Sequence, residues 1–202
     1  MNRRMFLQLS GTGAAVAVAA PTVLLTTGCS TAWITTVIDD IPVVINIVNS
    51  VVSVIAEATS NGGLPASVAA ALTTAMNVAI ASLNAFQDAA NAYNANKSQG
   101  NLNALIAALT KVQSDVQGVI ATLPAGSVSP SIVAVIVAAL GTAILTLSSI
   151  QALIPGAAPA VVTARAVAAV ATGKVEPPNA ATLKSSFNAV LGLHGYQKFQ
   201  LQ

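Results

Sequence analysis

The stretch NLNALIAALTKVQSDVQGVIATL, residues 101–123, decides the fold. Its large apolar residues recur at alternating steps of three and four, at Leu102, Leu105, Leu109, Val112, Val116, Val119 and Leu123. This spacing places them on one face of an α-helix. Lys111 and Asp115 lie on the outer face at i,i+4, where they can form a weak ion pair. The stretch therefore predicts an amphipathic helix that buries one face against other helices.

A longer Ala-rich helix precedes it, opened by Pro65 after the break at residues 61–64 and closed by the turn residues 97–101. Its apolar stripe is close to a heptad repeat and consists of Val68, Leu72, Met76, Ala79, Leu83, Phe86, Ala90 and Tyr93. Four bulky members, Leu72, Met76, Leu83 and Phe86, have two interpretations. They are either the core of a bundle or the lining of a cavity for an apolar ligand.

The segment from residue 31 to residue 60 also carries apolar residues at helical spacing, namely Ile34, Val37, Ile38, Ile41, Val44, Ile45, Val48, Val51, Val52 and Ile55. Asp39 or Asp40, followed by Pro42, is typical of a helix N-cap with proline in the first turn. We therefore expect the regular helix to begin near Asp40, after a short helical or irregular lead. Asn46, Asn49 and Ser53 interrupt the apolar pattern. We assign them to an outer face, with a role in pairing register as the alternative.

Residues 130–154 form an almost wholly apolar helix, with Ser129 as the predicted N-cap and Pro130 at its first position. The chain carries no charge between Asp115 and Arg165. About twenty uncharged residues suffice to cross a bilayer, and small residues recur at spacing four in Ala134, Ala138 and Thr142. The competing interpretation is a core helix covered on all sides, which we favour.

A shorter helix over residues 159–172, a linker over 173–178 and a last helix capped by Asn179 and ending near Leu193 complete the pattern. The predicted fold is all-α: an antiparallel up-down four-helix bundle over residues 40–154, followed by a carboxyl-terminal helical hairpin and tail over 155–202. Residues 29–39 are predicted to be a tether, and residues 1–28 a signal peptide. The tail after Tyr196 is left without a predicted place.

Charged residues are only 7% of the chain and hydrophobic residues 54%, against about 25% charged in ordinary soluble domains. From Cys29 onward, six basic residues face six acidic ones. A neutral chain without clustered Lys and Arg is a poor nucleic-acid binder. So few charges on the surface favour self-association or a nearby membrane.

Residues that catalysis requires are scarce. His194 is the only histidine, so a Glu-x-x-His pair for a di-iron site and a Ser-His-Asp set each lack a convincing candidate. No Gly-rich phosphate loop follows a strand pattern. We predict a non-enzyme without cofactor or metal, and we expect His194 to cap a helix end or lie at the surface.

The amino-terminal residues have the regions of an export signal: a basic start, an apolar run and small residues before Cys29. The elements Arg3, Arg4, Phe6 and Leu7 resemble the bacterial twin-arginine signal. That signal is read by a receptor, and the resemblance implies export of the chain in its folded state. An ordinary secretory signal is the alternative.

Cys29 is the only cysteine, so an intrachain disulfide is excluded. Its position behind Gly28, after the apolar run, resembles a bacterial lipobox. That resemblance implies a diacylated cysteine, carrying chains of the palmitate type, as the mature amino terminus. Cleavage after Ala17-Val18-Ala19 is the competing possibility. Two acyl chains anchor a protein stably, and Trp33 would then lie close to the lipid headgroups.

Three functions follow from these expectations. The first is a non-catalytic, lipid-anchored protein of the bacterial periplasm or cell envelope that acts as a structural or adaptor helical bundle. The second is a carrier of apolar ligands or lipids in a cavity of the bundle. The third is a membrane-inserted oligomer built on residues 130–154. Expected partners are the membrane through Cys29, a second copy or another envelope protein, and no nucleic acid.

Overall fold

The protein was analysed as a computed structural model, which describes residues 32–123, 128–154, 157 and 179–202. These residues form five α-helices and one 3-10 turn, without a strand in the described part of the chain. The helices are α1 (Ala32–Ser60), α2 (Ala66–Ala95), α3 (Gln99–Ala121), α4 (Pro130–Leu153) and α5 (Ala180–Leu193). The 3-10 turn η1 (Gln197–Phe199) follows α5. The prediction of an all-α chain is confirmed. The predicted helix over residues 159–172 and the linker after it lie outside the described residues.

Helices α1 to α4 form a ring of contacts, in which α1 packs on α2, α2 on α3, α3 on α4 and α4 on α1. The diagonal pairs, α1 with α3 and α2 with α4, do not approach each other closely. Helix α5 packs on α1 and α4, and η1 packs on α1 and α5. Helix α1 therefore touches four other elements, more than any other helix described.

The apolar stripes predicted on α2 and α3 form the core. On α3, Leu105, Leu109, Val112, Val116 and Val119 are buried, and the terminal members Leu102 and Leu123 are partly buried. On α2, the buried residues are Ala69, Leu72, Met76, Ala79, Ser82, Leu83, Phe86 and Ala90. One narrow buried face is what a spacing of three and four residues produces on a helix that packs on one side only.

Helix α1 differs from the prediction at its start. It is helical from Ala32 and contains Pro42 in its interior, so neither Asp39 nor Asp40 is its N-cap. An interior proline removes one backbone hydrogen bond and costs about 3 kcal/mol. Burial compensates for this loss, because Ile34 and Val37, which precede Asp40, are fully buried. The boundary placed between residues 39 and 40 consequently falls inside a continuous helix.

The buried surface of α1 is also wider than the predicted stripe. Besides Ile34, Val37, Ile41, Val44, Val48, Val51 and Ile55, the structure buries Val43, Ile47, Val54 and Ala58. A wide buried surface fits the contacts of α1, which packs on α4 and α5 as well as on α2. β-Branched residues are mediocre helix formers, so packing rather than local preference holds α1 in its helical form.

Helix ends follow the local sequence with one exception. Asn179 caps α5 through a capping box with Thr182, as predicted, and α5 ends before Gly195, whose positive φ of 83° suits glycine. Ser98 caps α3 by accepting a hydrogen bond from the Asn101 amide at 3.2 Å. The exception is Ser129, which precedes Pro130 as expected but whose side chain makes no capping hydrogen bond.

We expect Phe86→Ala to lower the free energy of unfolding by about 3 to 5 kcal/mol, because Phe86 is fully buried and its removal leaves a cavity. Val78→Ala on the same helix is the matched control. Val78 is 47% exposed, so its truncation should change stability by less than about 0.5 kcal/mol. Urea denaturation followed by circular dichroism measures both. Equal effects of the two substitutions would contradict the assignment of the α2 stripe to the core.

Candidate functional site

The residues predicted to carry export and lipid attachment, namely Arg3, Arg4, Phe6, Leu7 and Cys29, lie outside the described residues. Trp33, four positions beyond Cys29, is partly buried, and its ring lies 5.5 Å from the ring of Tyr93 on α2. Trp33 thus contributes to the packing between α1 and α2.

Leu72, Met76, Leu83 and Phe86 are all fully buried within the hydrophobic core. A cavity able to hold an acyl chain would expose the surfaces of the side chains that line it. The four residues show no such exposure, so they pack against other side chains. The structure brings them together as part of the core.

The outward faces of α1, α2 and α3 are polar. On α1 the exposed residues include Asp39, Asn46, Asn49 and Ser53, as predicted for the last three. On α2 the exposed polar residues are Ser67, Thr74, Asn77, Asn84, Asp88, Asn91 and Asn94. On α3 they are Asn103, Thr110, Lys111, Ser114 and Gln117. Amide and carboxylate groups are costly to move into lipid, so these three faces suit water.

Among α1 to α4, only α4 has no polar side chain among its exposed residues, although α2 also exposes Val78. Val137 is 37% exposed and Leu145 51% exposed, and Ala134, Ala138 and Thr142 are partly exposed beside them. The hydroxyl of Thr142 donates to the Ala138 carbonyl oxygen of its own helix at 2.8 Å, which satisfies this hydroxyl within the helix. The small-residue stripe predicted from the sequence therefore lies on the outer side of α4.

Within the described part of the chain, three helices are long and apolar enough to cross a membrane: Trp33–Ser60, Ala66–Ala95 and Pro130–Leu153. The last has the highest mean hydropathy, 2.3. Length and hydropathy do not distinguish a span from a core helix, but outward faces do. The first two helices carry Asn and Asp outward, whereas α4 does not.

The ion pair on α3 is linked to a second helix by a hydrogen bond. Asp115 on α3 accepts hydrogen bonds from Lys111 at 2.8 Å and from Ser82 on α2. Burial alone would raise the pKa of Asp115, but these donors and the Lys111 charge outweigh it and hold that pKa below its ordinary value. The contact predicted as an isolated surface pair thus also ties α3 to α2. Gln113 of α3 donates to Gln151 of α4 at 2.7 Å.

Asp40 is a buried carboxyl that sequence reasoning misplaced. Instead of capping its own helix, it accepts a hydrogen bond from the backbone amide of Ala180, the first residue of α5. Burial raises its pKa from 3.8 to about 6, an effect that the Ala180 hydrogen bond reduces and the neighbouring Asp39 charge increases. Asp40 therefore fixes the start of α5 against α1 and changes its protonation near neutral pH.

The carboxyl-terminal segment, which the sequence left unplaced, is held against α1 and α5. The Ser50 hydroxyl on α1 donates to the Phe199 carbonyl oxygen at 2.7 Å. Asn188 on α5 accepts from the Leu201 amide at 2.7 Å and donates to the Leu201 carbonyl oxygen at 2.9 Å. Most of these bonds use backbone groups, which every sequence offers, so no residue pattern could have revealed them.

An ion pair completes this attachment. Lys198 lies 2.7 Å from Glu57 Oε1 on α1, while Glu57 Oε2 is buried and without a hydrogen-bond partner among the described residues. Burial and the Glu57 charge raise the pKa of the Tyr196 hydroxyl. His194 caps the end of α5 with its backbone amide, as expected. No group of three or more His, Cys, Asp or Glu residues suited to a metal occurs in the described part.

Comparison with known proteins finds no match for the chain among protein-family models, curated proteins or solved structures.

We expect the free energy of unfolding to fall by about 2 kcal/mol as the pH rises from 4.5 to 7. The pKa of Asp40 is raised in the folded state, so the folded state binds a proton that the unfolded state releases, and stability is lost through this window. Asp40→Asn should abolish this slope while keeping an oxygen acceptor for Ala180.

Asp39→Asn is the matched control, since Asp39 is exposed on the same turn and its substitution should leave most of the slope in place. Urea unfolding at a series of pH values measures all three proteins. Stability that stays level or increases between pH 4.5 and 7 in the unsubstituted protein would contradict the assignment.

Proposed function

We propose that the protein is a non-catalytic, lipid-anchored component of the bacterial cell envelope, acting as a structural or adaptor helical body. The observation that carries the proposal is the contrast between the polar outward faces of α1, α2 and α3 and the apolar outward face of α4. A helical protein with three polar outward faces and one apolar outward face can lie beside a membrane and bind a partner through the apolar face.

The finer architecture that we propose is an antiparallel up-down four-helix bundle. The ring of contacts among α1 to α4 supports it. Trp33 on α1 contacts Tyr93 on α2. The two residues are equally far in sequence from residue 63, which lies in the connection between the two helices. Ser82 and Asp115 bracket the short connection between α2 and α3 in a similar way. Such pairings are those of neighbouring helices that run in opposite directions.

The apolar face of α4 supports an adaptor role. Residues on this face have no charge that would repel a second copy or oppose a helix of another envelope protein. Small residues at Ala134 and Ala138 would let a partner helix approach closely, while Val137 and Leu145 provide exposed apolar area. The occupant proposed here is a helix of a second copy or of an envelope protein.

The carrier function has less support. Its predicted lining, Leu72, Met76, Leu83 and Phe86, is fully buried and has no exposed surface for an apolar ligand. Insertion of α4 in the membrane as part of an oligomer is a second candidate, favoured by its length of 24 residues and its mean hydropathy of 2.3. In that arrangement the same outward face would contact lipid.

We expect Cys29→Ser to be exported but released from the membrane, because the acyl chains provide the anchor. Intact mass of the unsubstituted protein from its host should show cleavage before Cys29 and an added mass of acyl chains. Replacing Arg3 and Arg4 together by lysine is the complementary control, and it should block export without altering the mature sequence. A mature chain that begins elsewhere, or that carries no lipid, would refute the anchor.

We expect Leu145→Glu to disrupt association, since it places a charge on the outward face of α4, where the exposed residues are apolar. Ala81→Glu, at an exposed position of the polar face of α2, adds the same charge and should have no effect. Cross-linking on intact cells measures association, and carbonate extraction of the Cys29→Ser variant detects insertion. Cross-links that persist in Leu145→Glu would exclude α4 as the contact face, and resistance to carbonate would replace the adaptor by the inserted oligomer.

A further inference from the structure

A groove of about 400 Å³ runs between the exposed strip of α1 and the carboxyl-terminal segment. Its volume lies within the range of small-ligand sites. The lining includes Asn46, Asn49 and Ser53 from α1, Lys184 from α5, and Lys198 and Gln202 from the segment after it. In a chain with 7% charged residues, such a concentration of polar side chains is a local exception.

Some hydrogen-bond donors and acceptors of these side chains have no partner in the described part of the chain. The carboxamides of Asn46 and Asn49 make no hydrogen bond within the described part of the chain, and both residues are exposed. Each carboxamide offers two donor hydrogens and an acceptor oxygen. They lie three positions apart on the same face of α1, so they can contact one ligand together.

The lining of the groove also carries positive charge. It contains two lysines and no acidic residue, while Glu57, which is not part of the lining, balances the charge of Lys198 and leaves Lys184 without an acidic partner among the described residues. Lys184 donates to the Gln202 carbonyl oxygen at 2.7 Å, and Lys198 is paired with Glu57 at 2.7 Å while its side chain stays 64% exposed. An ammonium group has three donor hydrogens, so each lysine keeps donors for an anion after making its own contact.

We propose that this groove binds a phosphorylated polyol, with the phosphate held by Lys184 and Lys198 and the hydroxyls held by the carboxamides of Asn46 and Asn49. The pairing follows from the chemistry of the lining: ammonium groups bind phosphate as point charges, and carboxamides exchange hydrogen bonds with hydroxyls. Two sources share this chemistry, a free polyol phosphate and the headgroup of phosphatidylglycerol. The site lies beyond the adaptor function, since it is separate from the outward face of α4.

The test titrates glycerol 3-phosphate into the Cys29→Ser full chain and follows the side-chain amide signals of Asn46 and Asn49 by NMR. Glycerol is the probe without the anion. We expect saturable binding of glycerol 3-phosphate, with Lys184→Gln weakening it about tenfold through loss of a charge-assisted hydrogen bond. Lys97→Gln, at an exposed lysine outside the groove, is the matched control and should bind like the parent.

Vesicles distinguish the two sources. Because Cys29→Ser lacks the proposed anchor, the part of its binding to phosphatidylglycerol vesicles that Lys184→Gln removes, and that phosphatidylcholine vesicles do not show, would report the groove. Vesicle binding that Lys184→Gln weakens, with or without binding of the free phosphate, supports the proposal. The joint variant Asn46→Ala, Asn49→Ala changes only exposed side chains and should also weaken binding.

The proposal is overturned if neither glycerol 3-phosphate nor phosphatidylglycerol binds, if glycerol binds equally well, or if Lys97→Gln weakens binding as much as Lys184→Gln. None of these results depends on acylation of Cys29 or on the α4 contact, so the groove can fail while the adaptor function stands, and the reverse.

Discussion

Burial of α1 on several sides is the constraint on which the rest of the structure depends. This helix contacts α2, α4, α5 and the 3-10 turn, so it organises both the core and the carboxyl-terminal segment. Its Val and Ile residues and its interior Pro42 disfavour a helix locally. Tertiary packing outweighs these local costs, because Ile34, Ile41, Ile47 and Ile55 are all fully buried.

The same constraint explains what the sequence could and could not predict. The stripes of α2 and α3 were readable because each of these helices buries one face, which leaves a clear spacing of three and four residues. The burial of α1 on several faces blurs that spacing, so Val43, Ile47 and Val54 were missed. Asp40 was misassigned because an aspartate before a proline resembles an N-cap, although its true partner, Ala180, lies far away in sequence.

The candidate sites likewise combine features that the sequence predicted with features that only the packing shows. Asn46, Asn49 and Ser53 were correctly assigned to an outer face, but the groove beside them depends on Lys198 and Gln202, whose position is fixed by contacts with backbone groups. Hydrophobic spacing carries no information about such contacts. The apolar composition of α4 favoured a helix covered on all sides, yet Val137 and Leu145 are exposed, because the described contacts of α4 are with α1, α3 and α5.

The central claim is that the outward faces of α1, α2 and α3 lie in water, while the outward face of α4 provides the contact surface. The most direct measurement introduces Asn84→Cys, Gln117→Cys or Val137→Cys singly into the anchored protein, in which the Cys29 thiol is proposed to be blocked by its acyl chain, and probes spheroplasts with a membrane-impermeant maleimide. The account predicts rapid labelling at Asn84 and Gln117 and protection at Val137. Protection at Asn84 together with free labelling at Val137 would contradict it.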